Sequence, residues 1–166
     1  MRLASAVLFF LIGAAAFSGT IFVSVETPEG VWGEVLYELK EAILEGFFSR
    51  GHIVFDQGPV LVRSVDDAST LDGLIATATK GGAQYIVRLS ATSVRSQQAD
   101  KSVRIVVSGS FSILQVTSRL NLASGEVRKE STGNSARGTE GALGHAVGME
   151  ISDRIDRILS NPSGGV

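Results

Sequence analysis

Four aspartates are the residues of this sequence best suited to acid–base chemistry. Asp56 ends a short apolar run, and Asp66, Asp67 and Asp72 follow it closely. Two carboxylates that face each other in a cleft can work as general acid and base, or they can bind Ca²⁺. Their spacing does not fit an EF-hand loop, and aspartates ahead of a helix also satisfy its free N–H groups. We therefore interpret Asp66 and Asp67 as helix caps and keep a small secreted hydrolase, with its acids among these four, as an alternative.

Histidine and cysteine offer little further chemistry. The chain has two histidines, His52 and His145, and no cysteine. His52 stands at the start of a predicted strand and His145 in the first turns of a predicted helix, so we expect both to be ordinary, partly exposed side chains. The sequence contains neither the HExxH zinc motif nor the GxSxG nucleophile motif. We expect a non-enzymatic protein with no catalytic, cofactor-binding or metal-binding residues and no cofactor.

The glycines Gly138, Gly141 and Gly144 form a GxxGxxG pattern that is similar at first sight to a phosphate loop. The pattern lacks both the GxGxxG spacing and the GK[ST] ending of phosphate-binding loops. We expect the whole stretch Gly133–Gly144 to be a flexible connector that enters a helix. Mobile loops on rigid scaffolds often carry binding, so the stretch is also a weaker candidate for contact with a partner.

Residues 1–18 have the pattern of a secretory signal peptide, in which one basic residue precedes an apolar run with small residues at its end. The small residues allow cleavage after Ala16 or after Ser18, so the mature chain would begin at Phe17 or Gly19. The apolar run is shorter than the roughly 20 residues that span a bilayer, which favours cleavage over an uncleaved membrane anchor. We therefore expect a periplasmic or secreted protein with no stable membrane anchor after cleavage.

Composition narrows the class of protein further. Without cysteine the chain can form neither a disulfide framework nor the lipid-bearing thioether of a bacterial lipoprotein. Its 15 basic and 17 acidic residues give a formal net charge of −2, and the basic residues are scattered. This distribution does not provide the clustered basic face that nucleic acid requires. We expect a single domain over residues 19–160 and a disordered tail over residues 161–166.

Hydrophobic periodicity predicts the elements of that domain. Period-two alternation indicates strands, and apolar residues every three or four positions indicate helices. A stretch at residues 59–65 can be either strand or loop, Gly109 suggests a bulge or a bend, and Trp32 lies on the predicted buried stripe of the first helix. The predicted strands are Thr20–Glu26, His52–Asp56, Ala83–Val94, the long run 102–122, and Val127–Ser131 after a hairpin turn at 123–126. The predicted helices run from Val31 to about Gly51, from about Leu71 to Gly81, and along a final stripe of Leu143, Val147, Ile151 and Ile155 that ends before Pro162.

The element order is therefore β-α-β-α-β-β-β-α. Strands and helices alternate at first and are followed by a meander and a closing helix, which predicts an α/β (α+β) domain with a single mixed sheet flanked by helices. Replacing Ile151 with a charged residue should then be strongly destabilising, because the final helix would bury its stripe on the sheet.

Two segments carry a resemblance to a known group of envelope proteins. A helix leads into the strand Gly82–Val87, and a Ser-Gly-Glu sequence at Ser124–Val127 precedes a Gly-rich stretch and a terminal helix. The pattern resembles the superfamily of the curli channel's periplasmic domain, the penicillin-binding-protein activator lipoproteins, the Tol translocation protein N-domain and flagellar assembly protein T. Members of this group generally bind other envelope proteins without catalysis.

The resemblance implies a partner-binding or assembly domain of the periplasm or envelope. Its partners would be other envelope proteins of unknown identity, bound through a sheet edge or a helix face. The sequence leaves open whether the chain forms a homo-oligomer. A subunit of an envelope ring is a second alternative beside the hydrolase. The absence of cysteine departs from the lipid-anchored members, so the individual member and pathway stay undecided.

Overall fold

The computed structural model describes residues 19–27, 33–57, 60–61, 68–133 and 138–161. Six strands and three helices occur in these ranges. The strands are β1 (Thr20–Thr27), β2 (Ile53–Asp56), β3 (Val60–Leu61), β4 (Tyr85–Gln97), β5 (Val103–Gln115) and β6 (Asn121–Gly133). The helices are α1 (Glu34–Ser49), α2 (Ala68–Lys80) and α3 (Thr139–Ser160).

The strands form one mixed sheet in the order β2-β1-β4-β5-β6, and the two-residue β3 also pairs with β1. β2, β3 and β4 run parallel to β1, whereas β5 and β6 are added as antiparallel neighbours. The predicted fold class and element order are confirmed. Within residues 59–65, which the sequence leaves as strand or loop, Val60–Leu61 is strand.

Helices α1 and α3 cover one face of the sheet. The alternating residues Ile21, Val23 and Val25 of β1 point to this side and are buried there with apolar residues of β4, β5 and both helices. The predicted stripe of the last helix is confirmed, because Val147, Ile151 and Ile155 are fully buried on this face. We infer that this layer contributes most of the hydrophobic stabilisation of the domain.

Glycines bring α1 and α3 into close contact. A Cβ atom on Gly144 would lie 2.7 Å from the carbonyl oxygen of Val35, and one on Gly148 would lie 2.5 Å from that of Leu39. The expectation of a flexible connector up to Gly144 is therefore wrong in its second half, since α3 already begins at Thr139. The sequence signal was misleading because Gly144 serves a helix contact that leaves no room for a side chain, not a flexible connection.

Helix α2 covers only one end of the opposite face. A second, smaller apolar cluster lies beneath it, and the rest of that face, on β4, β5 and β6, is largely polar and exposed. The cluster consists of Phe22, Leu74, Ile75, Ala78, Ala83, Ile86, Leu114 and Val116.

The hairpin turn between β5 and β6 lies earlier than the sequence predicts. The chain turns over residues 116–120, where Arg119 adopts a left-handed backbone conformation with φ 58°. Ser124-Gly125-Glu126, predicted as the turn, lies inside β6 instead, with Gly125 opposite Phe111. Gly125 is required there by packing, because a Cβ atom would come within 2.9 Å of the Phe111 ring.

The predicted bulge at Gly109 is also wrong. Gly109 pairs regularly with Ala91 on one side and Val127 on the other, and the irregularity in this strand lies at Ile113/Leu114. Leu39, Val147 and Ile151 converge over Gly109, where a Cβ atom would come within 2.6 Å of Val147. The glycine therefore makes room for both helices.

Several expectations fall outside the described residues. The signal peptide 1–18, the residues after Asn161, Trp32, and the proposed caps Asp66 and Asp67 are among them. Among the described residues, no helix is long and apolar enough to cross a bilayer.

Candidate functional site

The two aspartate candidates that the structure describes are each held by a cation. Asp56 ends β2 and accepts a hydrogen bond from Lys40 Nζ at 2.8 Å, and Asp72 on α2 is 3.2 Å from Arg119 Nη1. They line two different shallow hollows. Among the residues that the structure describes, no three His, Asp or Glu side chains are arranged to hold a metal ion.

His52 is buried rather than partly exposed as expected. Its Nδ1 accepts a hydrogen bond from the Gly19 backbone N–H at 3.0 Å, so the ring proton lies on Nε2 and is donated to Asp156 Oδ1, also at 3.0 Å. Arg50 contacts Asp156 and forms a salt bridge with Asp153. Both imidazole nitrogens are thus used in joining the start of β1 to α3, which is a structural role.

His145 and the glycine pattern near it provide no binding geometry. His145 is exposed on α3, and its Nε2 lies 3.9 Å from Glu45. The first turn of α3, where a phosphate would bind, already carries the Glu140 carboxylate, which accepts hydrogen bonds from Ser93 and Arg95. The Arg95 hydrogen bond is the main reason why the pKa of Glu140 is lowered. An anion at this helix terminus is supplied by the protein itself.

The β2 edge of the sheet, in contrast, is exposed and apolar. β2 is hydrogen-bonded to β1, and no described strand lies on its other side. Phe48 on α1 is 78% exposed and Ile53 on β2 is 67% exposed. Between α1 and β2 lies an open hollow of about 370 Å³. We call this region the β2-edge site: Ile53 with the hollow's lining residues Glu41, Leu44, Glu45, Phe48, Val54, Phe55 and Asp56.

Side chains flank the β2 edge on both faces of the sheet. Phe55 stacks on Phe22 with ring centroids 5.2 Å apart, on the α2 side, and Ile53 shares that side by alternation. Val54 packs against the cluster beneath α1, on the side of Phe48. A strand added at this edge would therefore find an exposed apolar side chain on each face.

The rim of the β2-edge site is acidic. Glu41, Glu45 and Asp56 line it, and Lys40 lies 2.8 Å from Asp56 and 3.3 Å from Glu41. Burial alone would lower the pKa of Lys40, but the hydrogen bonds and charges of the two carboxylates outweigh burial and raise that pKa. Lys40 thus stays charged near neutral pH, and the carboxylates of the rim outnumber it.

Sequence analysis missed this site, although it proposed a sheet edge or a helix face in general. The available signal lay in α1, where Tyr37, Leu44 and Phe48 are apolar residues off the buried stripe, spaced by seven and four positions. Residues at this spacing share one helix face, and Tyr37 and Phe48 are indeed exposed. A second apolar face is the pattern of a helix that contacts something beyond its own core.

The fold is shared with solved bacterial proteins, at low sequence identity. Protein CT253 of Chlamydia trachomatis matches with a TM-score of 0.56 and 11% identity, covering 86% of this chain and 98% of that one. The lipoprotein GNA1162 of Neisseria meningitidis matches with a TM-score of 0.50 and 13% identity, covering 85% and 99%. The PelC dodecamer of Paraburkholderia phytofirmans matches with a TM-score of 0.50 and 11% identity, covering 81% and 86%.

By sequence, no family model and no curated protein matches the chain. The structural likenesses therefore concern the fold, and the superfamily inferred from Gly82–Val87 and Ser124–Val127 stays a hypothesis. The second motif supports that hypothesis less well, because Ser124–Val127 is part of β6 and not a hairpin tip.

Proposed function

We propose that this chain is a non-enzymatic assembly domain of the bacterial cell envelope that binds protein partners at the β2-edge site. The observation that carries the proposal is the pair of exposed apolar side chains, Phe48 and Ile53, beside a strand with no described neighbour on its outer side. Exposed apolar residues next to an open sheet edge are a liability unless a partner covers them.

Strand addition is the binding mode that this geometry favours. Alternate backbone N–H and C=O groups of β2 point away from β1 and can pair with an extended segment, while the hollow beside Phe48 accepts one of its side chains. The acidic rim of Glu41, Glu45 and Asp56 selects a segment without carboxylates at that position, since like charges repel.

The envelope location rests on the leader sequence and on the fold. We propose that the signal peptide is cleaved after Ala16 or after Ser18, leaving a mature chain that begins at Phe17 or Gly19, with a domain over 19–160 and a tail over 161–166. The likeness to the lipoprotein GNA1162 supports an envelope setting. N-terminal sequencing of the exported protein tests the leader, and a sequence that still begins at Met1 would contradict it.

The hydrolase alternative receives less support from the site. Asp56 and Asp72 are bonded to separate cations, so neither is paired with the other as an acid–base couple would be. A hydrolase would have to use Asp66 and Asp67, which lie outside the described residues. We therefore include these two in the test below.

Photo-crosslinking in the native envelope tests the proposed function. A photoreactive residue placed at position 48 or 53 should give discrete adducts, whereas one at position 94, on the exposed polar face, should give none. Val94 is a matched control because it is 61% exposed and lies on the far half of β4, beyond the residues that pair with β1. Equal labelling at 48, 53 and 94 would contradict a site at β2. Turnover in a hydrolase screen that disappears on replacing Asp66 and Asp67 would favour the enzyme instead.

A further inference from the structure

We propose that the partner at the β2-edge site is a second copy of this chain, which docks the start of its β6 strand against β2 and so forms a head-to-tail assembly. The inference deepens the proposed function and rests on it. The two strands concerned are the two edges of the sheet, so one copy can offer β6 to a neighbour while it receives β6 from another.

The exposed apolar residues of the two edges lie at the same level of the sheet. Leu120 and Leu122 are the exposed large apolar residues at the β6 edge, 62% and 42% exposed. Two transverse rows of paired residues connect the edges. One row runs Val54, Ile21, Tyr85, Gln115 and Leu120, and the next runs Phe55, Phe22, Ile86, Leu114 and Asn121. A neighbour placed side by side therefore brings Leu120 to the level of Val54 and Asn121 to the level of Phe55, and Leu122 follows directly after them.

Strand direction allows the same arrangement to repeat. β2 and β4 are parallel to β1, β5 is antiparallel to β4, and β6 is antiparallel to β5, so β6 runs parallel to β2. β6 of one copy can then pair in parallel with β2 of the next copy, which is rotated to follow the twist of the sheet. Because the two surfaces differ, this contact is heterologous, and it builds a ring if the rotation closes and a filament if it does not.

The rest of the β6 edge is protected against pairing. Arg154 Nη1 donates a hydrogen bond to the backbone carbonyl of Glu126 at 3.2 Å, so that edge group is already occupied. Charged residues follow at Glu126, Arg128, Lys129 and Glu130, whereas residues 120–125 are uncharged. Charges and capped groups are the usual means of blocking an edge strand. The part of the β6 edge that is level with β2 is this unprotected start.

Oligomeric state tests the proposal, with the exported and processed protein as the sample. Light scattering at concentrations up to about 100 μM should show assemblies of more than two subunits. Phe48→Asp and Leu122→Asp should each reduce the protein to a monomer, while the control Val94→Asp should leave the assembly intact. Circular dichroism of each variant checks that it still folds.

Mixing the two variants distinguishes a head-to-tail contact from a symmetric one. Phe48→Asp retains a functional β6 edge and Leu122→Asp a functional β2 edge, so an equimolar mixture should give dimers of one copy each and nothing larger. A wild-type protein that is monomeric throughout, or folded variants that stay monomeric when mixed, would overturn the inference. If a monomeric wild type still crosslinks through position 48 to another envelope protein, the proposed function stands and the second copy is not the partner.

Discussion

The two faces of the sheet follow different rules. On one face, α1, α3 and the sheet bury the larger apolar cluster, and the two helices approach each other so closely that glycines are required where they meet. On the other, α2 buries a smaller cluster at one end and leaves strands β4–β6 with serine, threonine and charged residues in the open. The difference indicates that the first face carries stability and that the remaining surface is free to vary, except where apolar residues persist at the edges.

The largest expected effect is a loss of unfolding free energy when a charge is placed on the covered face of the sheet rather than on the exposed one. Ile151→Asp would place an unpaired carboxylate where the native side chain is fully buried, so we expect a loss of about 4 kcal/mol or more in unfolding free energy. Val94→Asp, on the exposed polar face, should cost about 1 kcal/mol at most. Urea denaturation followed by circular dichroism measures both. A loss below about 1 kcal/mol for Ile151→Asp would mean that α3 is peripheral.

A smaller effect tests the glycine contact between the helices. Gly148→Ala places a Cβ atom 2.5 Å from the Leu39 carbonyl oxygen, so it should destabilise by about 1–3 kcal/mol even though alanine is the better helix former. Gly73→Ala in α2 is the matched control, because nothing lies within 4 Å of its added Cβ. We expect that substitution to stabilise by about 0.5–1 kcal/mol. Thermal unfolding that moves in the same direction for both variants would contradict close packing as the reason for Gly148.

The smallest effect concerns the border between the covered face and the exposed strands, where Glu140 meets Arg95. Because the Arg95 hydrogen bond lowers the pKa of Glu140, this pair should stabilise the fold fully above the ordinary glutamate pKa of about 4.3, and the contribution should be lost as the pH falls from there through the lowered pKa of the folded protein. Glu140→Gln, Arg95→Gln and the double variant form a cycle. Its coupling free energy, from urea midpoints, should be favourable at pH 7 and should fall as the pH is lowered through the pKa of Glu140 in the folded protein. A coupling that persists in acid would show that charge is not its source.

Much of the fold could be predicted because it rests on local patterns. Period-two alternation identifies β1 and most of β5, and the stripe of Val147, Ile151 and Ile155 identifies the buried face of α3. These signals reflect burial against a flat layer, which depends on position along the chain more than on the identity of the neighbour.

The rest depends on contacts between distant residues. Ser-Gly-Glu at 124–126 is typical of a turn, but Arg119 takes the left-handed position and Gly125 is needed under the Phe111 ring. Gly144 lies in a stretch that indicates flexibility in sequence, yet it packs closely against α1 in space. The candidate site was missed for the same reason, since Phe48 differs from its buried neighbour Phe47 only in the helix face on which it lies.

The imidazole of His52 has a mechanical consequence. One ring is bonded to the first described residue, Gly19, and to Asp156 near the end of the last helix, while the Gly19 carbonyl accepts a hydrogen bond from Ile53. Tension applied at Gly19 is therefore shared between the sheet and α3. The start of β1 is held at two points, and pulling it out would have to break both the His52 link and the sheet hydrogen bonds.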